Sequence, residues 1–308
     1  MTRIQTRLLM GAAALAVLIG CATALSRHEA AGVAMETVVF TPENWPKALT
    51  ADIYRPAHPG PHPGLLMVHG GGWEGRSRSD MDRVSLRYAK RGFVVMNVSY
   101  RFAPEAQYPA QVHDLQQAMR WLHREAQALD LDRERIAAMG YSAGAHLLSL
   151  MALAADTQPD LDQPYGGPET RPAAVVAGGS PMDLRKYPGG RLVPQFLGGR
   201  IDEIPETFAA ASPVTRVHGE APPFFLFHGG SDRLVTIDHS EDFERALAQR
   251  GVPVSLYRLP WRGHILAFLT AGSALTEADD FLDKHLSPAE SETSVATSPT
   301  SDARVAVN

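Results

Sequence analysis

Gly140-Tyr141-Ser142-Ala143-Gly144 constrains this chain more than any other segment, because it joins a strand-like apolar run directly to a helix-like one. The run before it is Ile136-Ala137-Ala138-Met139, and the one after it extends from His146 to Ala155. A strand that becomes a helix within five residues must pass backbone where a Cβ would clash, and the flanking glycines allow that passage. The serine at the apex is then held out of the turn at the edge of a sheet. The five-letter pattern alone arises by chance in about one chain in ten of this length. The strand and helix around it give it weight.

A second turn of the same kind lies upstream. Leu65-Leu66-Met67-Val68 reads as a buried strand and runs straight into His69-Gly70-Gly71-Gly72-Trp73. Three consecutive glycines free the backbone to aim N–H groups inward. Such a loop, together with the amide of the residue after an elbow serine, here Ala143, can hold a developing oxyanion.

A serine hydroxyl is a poor nucleophile near neutral pH and needs a histidine base, itself oriented by a carboxylate. Pro223-Phe224-Phe225-Leu226-Phe227 is a strand-like run leading through His228-Gly229-Gly230-Ser231 to Asp232. Val254 to Leu259 is another, followed by Pro260-Trp261-Arg262-Gly263-His264. Asp232 and His264 therefore fall on successive strand-end loops, in the chain order Ser142, Asp232, His264. Asp238 is a rival acid, but it stands where a helix starts and suits an N-terminal helix position. Among the 12 histidines, His113, His123, His239 and His285 fall in expected helices, and His146 should pack behind the serine. His218 and His228 precede the last strand, too early for the base.

Other chemistries lack their signatures. His113, Asp114 and His123 do not have the spacing that puts two metal ligands on one helix face, so no metal site is expected. The glycines at 69–72 lack the lysine and hydroxyl of a phosphate-binding loop, and no cofactor is expected. The formal charge of −5, without a basic run, argues against nucleic acid as a partner.

The two ends read differently from the middle. Arg3 and Arg7 precede an apolar stretch, Leu8 to Gly20, too short to span a bilayer, which reads as a signal peptide over residues 1–20. Leu18-Ile19-Gly20-Cys21 resembles the bacterial lipobox, and Cys21 is the sole cysteine. Cys21 is accordingly the expected lipidation site, with a membrane as partner through the lipid anchor. Ala22 in place of aspartate points to an exported lipoprotein at the outer membrane. Residues 21–35 are expected to form a tether, and residues 287–308, rich in Ser, Thr, Ala and Glu, a disordered tail.

Between them, residues 36–286 are long enough for one large α/β domain. Strands are expected at Glu36–Phe40, Ala51–Tyr54, Leu65–Val68, Phe93–Val98, Ile136–Met139, Ala173–Ala177, Phe224–Phe227 and Val254–Leu259. Helices are expected at Ser79–Arg91, Ala110–Ala128, Gly144–Ala155, Ile237–Arg250 and Ala274–His285. This alternation predicts a mostly parallel, eight-stranded sheet with helices on both faces.

The segments His69-Gly70-Gly71-Gly72-Trp73, Ser99 to Glu105, Tyr108-Pro109-Ala110-Gln111, Asp132 to His146, Ala211-Ser212-Pro213-Val214 and Pro222 to Asp232 together resemble one family. It is that of the α/β-hydrolase serine esterases related to hormone-sensitive lipase and to bacterial acetyl and feruloyl xylan esterases. The resemblance implies the α/β-hydrolase fold, Ser142 as nucleophile, Asp232 as acid and His264 as base. It further implies oxyanion amides from Gly71, Gly72 and Ala143. Tyr141, where many hormone-sensitive-lipase relatives carry an acidic residue, favours the xylan-esterase branch.

The implied activity is that of a carboxylesterase acting through an acyl-enzyme on a small-molecule or carbohydrate ester, acetyl esters of xylan foremost. The interval from Ser180 to Ala211 is too short for a large lid domain and suggests an open cleft for short-chain esters. Aryl-formamidase is the alternative activity. A prolyl-type serine peptidase would require a propeller domain for which the chain has no room, and a non-catalytic binding protein would require broken machinery.

Overall fold

The computed structural model describes residues 25–30 and 32–287. Residues 1–20, expected as a signal peptide, Cys21 and residues 288–308 lie outside the described residues. Nine strands form one sheet in the order β1-β2-β3-β5-β4-β6-β7-β8-β9. They are β1 (Leu25–Ala30), β2 (Val33–Val39), β3 (Thr50–Pro56), β4 (His62–Val68), β5 (Val94–Val98), β6 (Leu131–Tyr141), β7 (Val175–Gly178), β8 (Phe224–Gly229) and β9 (Val254–Leu259). Strands β1, β2, β3 and β5 pair antiparallel, and from β5 through β4 and β6 to β9 every pairing is parallel. Every expected strand has its counterpart here.

The sheet begins earlier than the sequence suggests. Residues expected as a tether supply β1 and the start of β2, with Val33 paired to Pro56 and Ala30 to Val33. No apolar alternation announces β1. It is an antiparallel edge strand that pairs with β2 alone.

Helices cover both faces: α1 (Asp82–Lys90), α2 (Ala110–Glu125), α3 (Ala143–Ala154), α4 (Pro159–Asp162), α5 (Leu192–Leu197), α6 (Pro205–Ala210), α7 (Asp238–Gln249), α8 (His264–Leu269) and α9 (Gly272–Leu286). Every residue of α3 is buried, as expected of a helix packed on all sides. The end of β4 is equally dry, with Leu65, Leu66, Met67 and Val68 all at 0% exposure. Short helices α4, α5, α6 and α8 were not expected, because none is long enough to show a helical repeat. Asp114 sits in the second turn of α2. It binds the Arg101 backbone N–H at 2.9 Å and side chain at 2.8 Å, and the Trp45 indole at 2.8 Å. Among the described residues, no helix is long and apolar enough to cross a membrane.

Parallel strands bring their carboxyl ends to one edge of the sheet, where the connecting loops of β4, β6, β8 and β9 meet. Each loop carries one of the residues singled out by the sequence.

Candidate active site

Ser142 stands between β6 and α3 with φ 55° and ψ −123°, a left-handed conformation that costs a non-glycine residue of order 1–3 kcal/mol. Close packing of the elbow on the neighbouring strand end enforces it. A Cβ on Gly144 would lie 2.4 Å from the carbonyl oxygens of both Val68 and His69, so only glycine lets α3 start this close to β4.

The Ser142 Oγ lies 2.9 Å from His264 Nε2, and His264 Nδ1 lies 2.6 Å from Asp232 Oδ2. An ionised carboxylate only accepts, so the imidazole proton sits on Nδ1 and Nε2 is left to accept from the serine hydroxyl. Asp232 and His264 are buried and Ser142 is partly exposed. The base is thus shielded while the nucleophile remains reachable.

Asp232 is fixed from its other side as well. Its Oδ1 accepts the N–H groups of Leu234 and Val235, each at 2.9 Å. His228 donates Nε2–H to the Val235 carbonyl at 2.8 Å, with the same nitrogen 3.4 Å from Asp232 Oδ2. Burial works against the charge, but hydrogen bonds from His228, His264 and Val235 outweigh it and hold the carboxyl well below the usual carboxylate range. The carboxylate therefore stays charged at neutral pH. Asp238, the rival acid, begins α7 and pairs with Lys186.

Tyr141 has a role that the sequence did not show. Its hydroxyl donates to the backbone carbonyl of His264 at 2.6 Å, and its ring packs 4.9 Å from that of Phe268 on α8. The residue before the nucleophile thus holds the segment that carries the base. Tyr141→Phe is expected to lower kcat about three- to tenfold with KM unchanged, the scale of one buried hydrogen bond. Steady-state kinetics beside a thermal melt checks this: a lowered Tm with kcat intact would reduce Tyr141 to packing.

The glycine loop curls over the elbow. Gly71 has φ 115°, and a Cβ there would sit 2.2 Å from the Gly75 carbonyl oxygen. Among the described residues, the N–H groups of Gly71, Gly72 and Ala143 donate to no protein acceptor. Gly72 and Ala143 line a cavity of about 230 Å³ together with Ser142, whereas Gly71 is set back from its wall. Tyr187, Leu192 and Val193 line the same cavity, and a Cβ on Gly72 would lie 3.1 Å from the Leu192 side chain. The Ser180 to Ala211 interval, short as it is, therefore contributes lining to the site through Pro181, Tyr187 and residues 189–193.

Trp73 ties this loop to the interior. Its ring stacks on Phe196 at 4.6 Å, and its indole N–H donates to His146 Nδ1 at 3.2 Å. Indole is a donor only, so the proton of His146 is on Nε2, which donates to the Ala211 carbonyl at 2.8 Å. Burial pushes the His146 pKa down to about 4. The folded chain resists protonating it and the unfolded chain does not, so its stabilisation is complete above about pH 6.5 and is lost as pH falls toward 4. The loss amounts to about 3 kcal/mol. Denaturant titrations at pH 7 and pH 4.5 check this, with His146→Gln expected to be less stable at pH 7 and to lose less on acidification. His239, also pushed down to about 4, keeps the substitution from abolishing the dependence.

Among the described residues, no group of three or more His, Cys, Asp or Glu side chains could hold a metal ion.

The profile of the BD-FAE family matches residues 51–247, from β3 through most of α7 and across the elbow, the glycine loop and Asp232. This chain belongs to the BD-FAE family. Among curated proteins it is 34% identical over 213 residues to esterase LipC of Mycobacterium tuberculosis, covering 66% of this chain and 53% of LipC. It is 29% identical to ethyl acetate hydrolase of Pseudomonas putida over 247 residues, 76% of each chain. The chain spans about half the length of the M. tuberculosis relatives it matches. A solved structure of Thermogutta terrifontis esterase 2 phosphorylated by paraoxon superposes with TM-score 0.69 at 25% identity, covering 85% of this chain and 98% of that one. The sheet and its helical layers are an α/β-hydrolase fold.

Proposed function

We propose that this BD-FAE family member is a serine carboxylesterase that hydrolyses short-chain esters, acetyl esters foremost, through an acyl-enzyme. The observation that carries the reading is the hydrogen-bonded series Ser142, His264 and Asp232 opening on one small cavity. In this mechanism the serine Oγ bonds to the acyl carbon as His264 Nε2 takes its proton. The ester C–O bond then breaks, and the alcohol leaves with that proton. Water repeats the steps with the same base, releasing the acid and restoring Ser142. The N–H groups of Ala143 and Gly72, with Gly71 behind them, are the proposed oxyanion donors.

The cavity wall of Pro181, Leu192, Val193 and Leu234 suits a short acyl group, and the similarity to ethyl acetate hydrolase supports acetyl. A carbohydrate alcohol, as in acetylated xylan, is the proposed special case, supported by the xylan-esterase-like motifs. The test has two arms. Paraoxon should transfer one diethylphosphoryl group to the Ser142 oxygen with release of p-nitrophenolate, read by mass spectrometry and absent from Ser142→Ala. Acetate release from acetylated xylan and from p-nitrophenyl acetate then separates substrates: hydrolysis of the small ester alone keeps the esterase and removes xylan. No adduct and no hydrolysis would overturn the reading.

Cys21 is the proposed site of lipidation after removal of residues 1–20, giving an exported protein anchored at the outer membrane. Cys21→Ser should let an alkaline carbonate wash, which strips peripheral proteins, release the protein from membranes that keep the parent, and equal retention of both after that wash would refute the anchor.

A further inference from the structure

Exposed apolar side chains stand on the segments that carry the acid and the base. Trp261 is 89% exposed, and Leu234, Ile265, Leu266 and Leu269 are each at least half exposed. Trp261 lies on the turn that carries His264, with φ 59°, a region unfavourable for a bulky residue. Its neighbour is pinned to the acid loop, where the Arg262 carbonyl accepts the Ser231 N–H at 3.0 Å. The backbone therefore holds the indole outward. On α8, His264 and Ala267 turn inward, and Ile265, Leu266 and Leu269 share the outer face. Clusters of this kind mark interaction surfaces.

Two observations indicate what covers this rim. The first is charge. Arg233 precedes Leu234 and Arg262 follows Trp261, and among the described residues neither arginine joins a salt bridge. An indole and aliphatic side chains beside cationic groups suit the interface of an anionic bilayer. A sugar polymer would call for polar side chains around the indole, and the rim is aliphatic.

The second is where the chain enters the sheet. Leu25 pairs with Thr37, near the end of β2, whose last residue, Val39, pairs with Thr50. The Thr50 carbonyl accepts the N–H of Ser99, just beyond β5. Since β5 runs parallel to β4 and onward to β9, Leu25 lies at the same end of the sheet as Ser142 and His264. The peptide from Cys21 to Leu25 reaches at most about 14 Å. Leu25 on β1 and the loop after β9 thus stand at opposite edges of the sheet but at one shared end.

We propose that the rim of Trp261, Leu234, Ile265, Leu266 and Leu269 is a membrane-docking face for an anionic lipid bilayer, so that the mouth of the site faces the membrane. The orientation rests on the proposed lipidation of Cys21. Docking itself needs neither the lipid nor turnover.

The test uses the unlipidated Cys21→Ser chain and sedimentation with vesicles of phosphatidylglycerol and phosphatidylethanolamine, beside pure phosphatidylcholine. Stronger binding to the anionic vesicles is expected, with a blue shift of indole emission. Adding Trp261→Ala and Leu266→Ser should weaken partitioning about tenfold or more, with hydrolysis of p-nitrophenyl acetate within twofold of the parent. A Cys21→Ser chain that also carries Ser142→Ala should bind vesicles unchanged, so docking and the esterase reading fail separately. No vesicle binding, or binding that ignores the two rim substitutions, would overturn the proposal. So would a dimer in sedimentation velocity that those substitutions dissolve. Retention on insoluble xylan lost with Trp261, without vesicle binding, would replace the bilayer by a polysaccharide.

Discussion

Ser142→Ala is expected to lower kcat toward short-chain esters by about 10⁵–10⁶-fold, the scale of losing the nucleophile of a serine hydrolase. The physical reason is local. The hydroxyl is held 2.9 Å from His264 Nε2 by a strained elbow, and no other hydroxyl is hydrogen-bonded to that nitrogen among the described residues. Removing the Oγ leaves the base, the acid and the amides of Gly72 and Ala143 in place. Residual hydrolysis should therefore be that of water in a preorganised pocket, still above the uncatalysed rate by about 10³–10⁴. The fold should be untouched, since alanine accepts the same backbone at similar cost. Burst kinetics with p-nitrophenyl acetate checks both parts: the acyl-enzyme burst should vanish while the melting curve stays. Retention of most of the wild-type rate would displace Ser142 from the reaction.

Asp232→Asn should cost about 10⁴ in kcat, from a change that alters hardly any volume. The N–H groups of Leu234 and Val235 point at Oδ1, so the asparagine oxygen is held there and its NH₂ faces His264 Nδ1. That donor forces the imidazole into the tautomer with its proton on Nε2. The serine hydroxyl then meets a donor where it needs an acceptor. The loss should shrink at high pH, where hydroxide replaces the missing base, and a pH–rate profile separates this from misfolding. A loss below about tenfold would mean that His264 is oriented by something else.

Much of this site was legible in the chain because its parts are local. Gly140 to Gly144 works only at a strand-to-helix junction, since the Gly144 position admits no Cβ beside Val68 and His69. The glycines at 70–72 imply a backbone that turns, and Asp232 and His264 each follow a strand of apolar residues. Each requirement is met within about five residues, so the local sequence records it. The central strand runs, such as Leu65 to Val68, Ile136 to Met139 and Phe224 to Phe227, were legible for the same reason, being continuous buried hydrophobic stretches.

What the chain did not show depends on partners distant in sequence. The contact of Tyr141 with the His264 carbonyl spans 123 positions, and that of Trp73 with His146 spans 73. Neither pair has a spacing that periodicity could reveal. His228 read as a histidine at a strand end, and only packing against Val235 and Asp232 made it a support for the acid. β1 carries no hydrophobic alternation and is a strand only because β2 offers its edge. The sequence by itself determined the elbow, the glycine loop and the order of the three catalytic candidates, because backbone sterics act between neighbours. The tertiary structure alone decided how the base is held, what walls the cavity, and that Trp261 on the loop of the base is left exposed, because hydrogen bonds and packing act across whatever the sheet brings together.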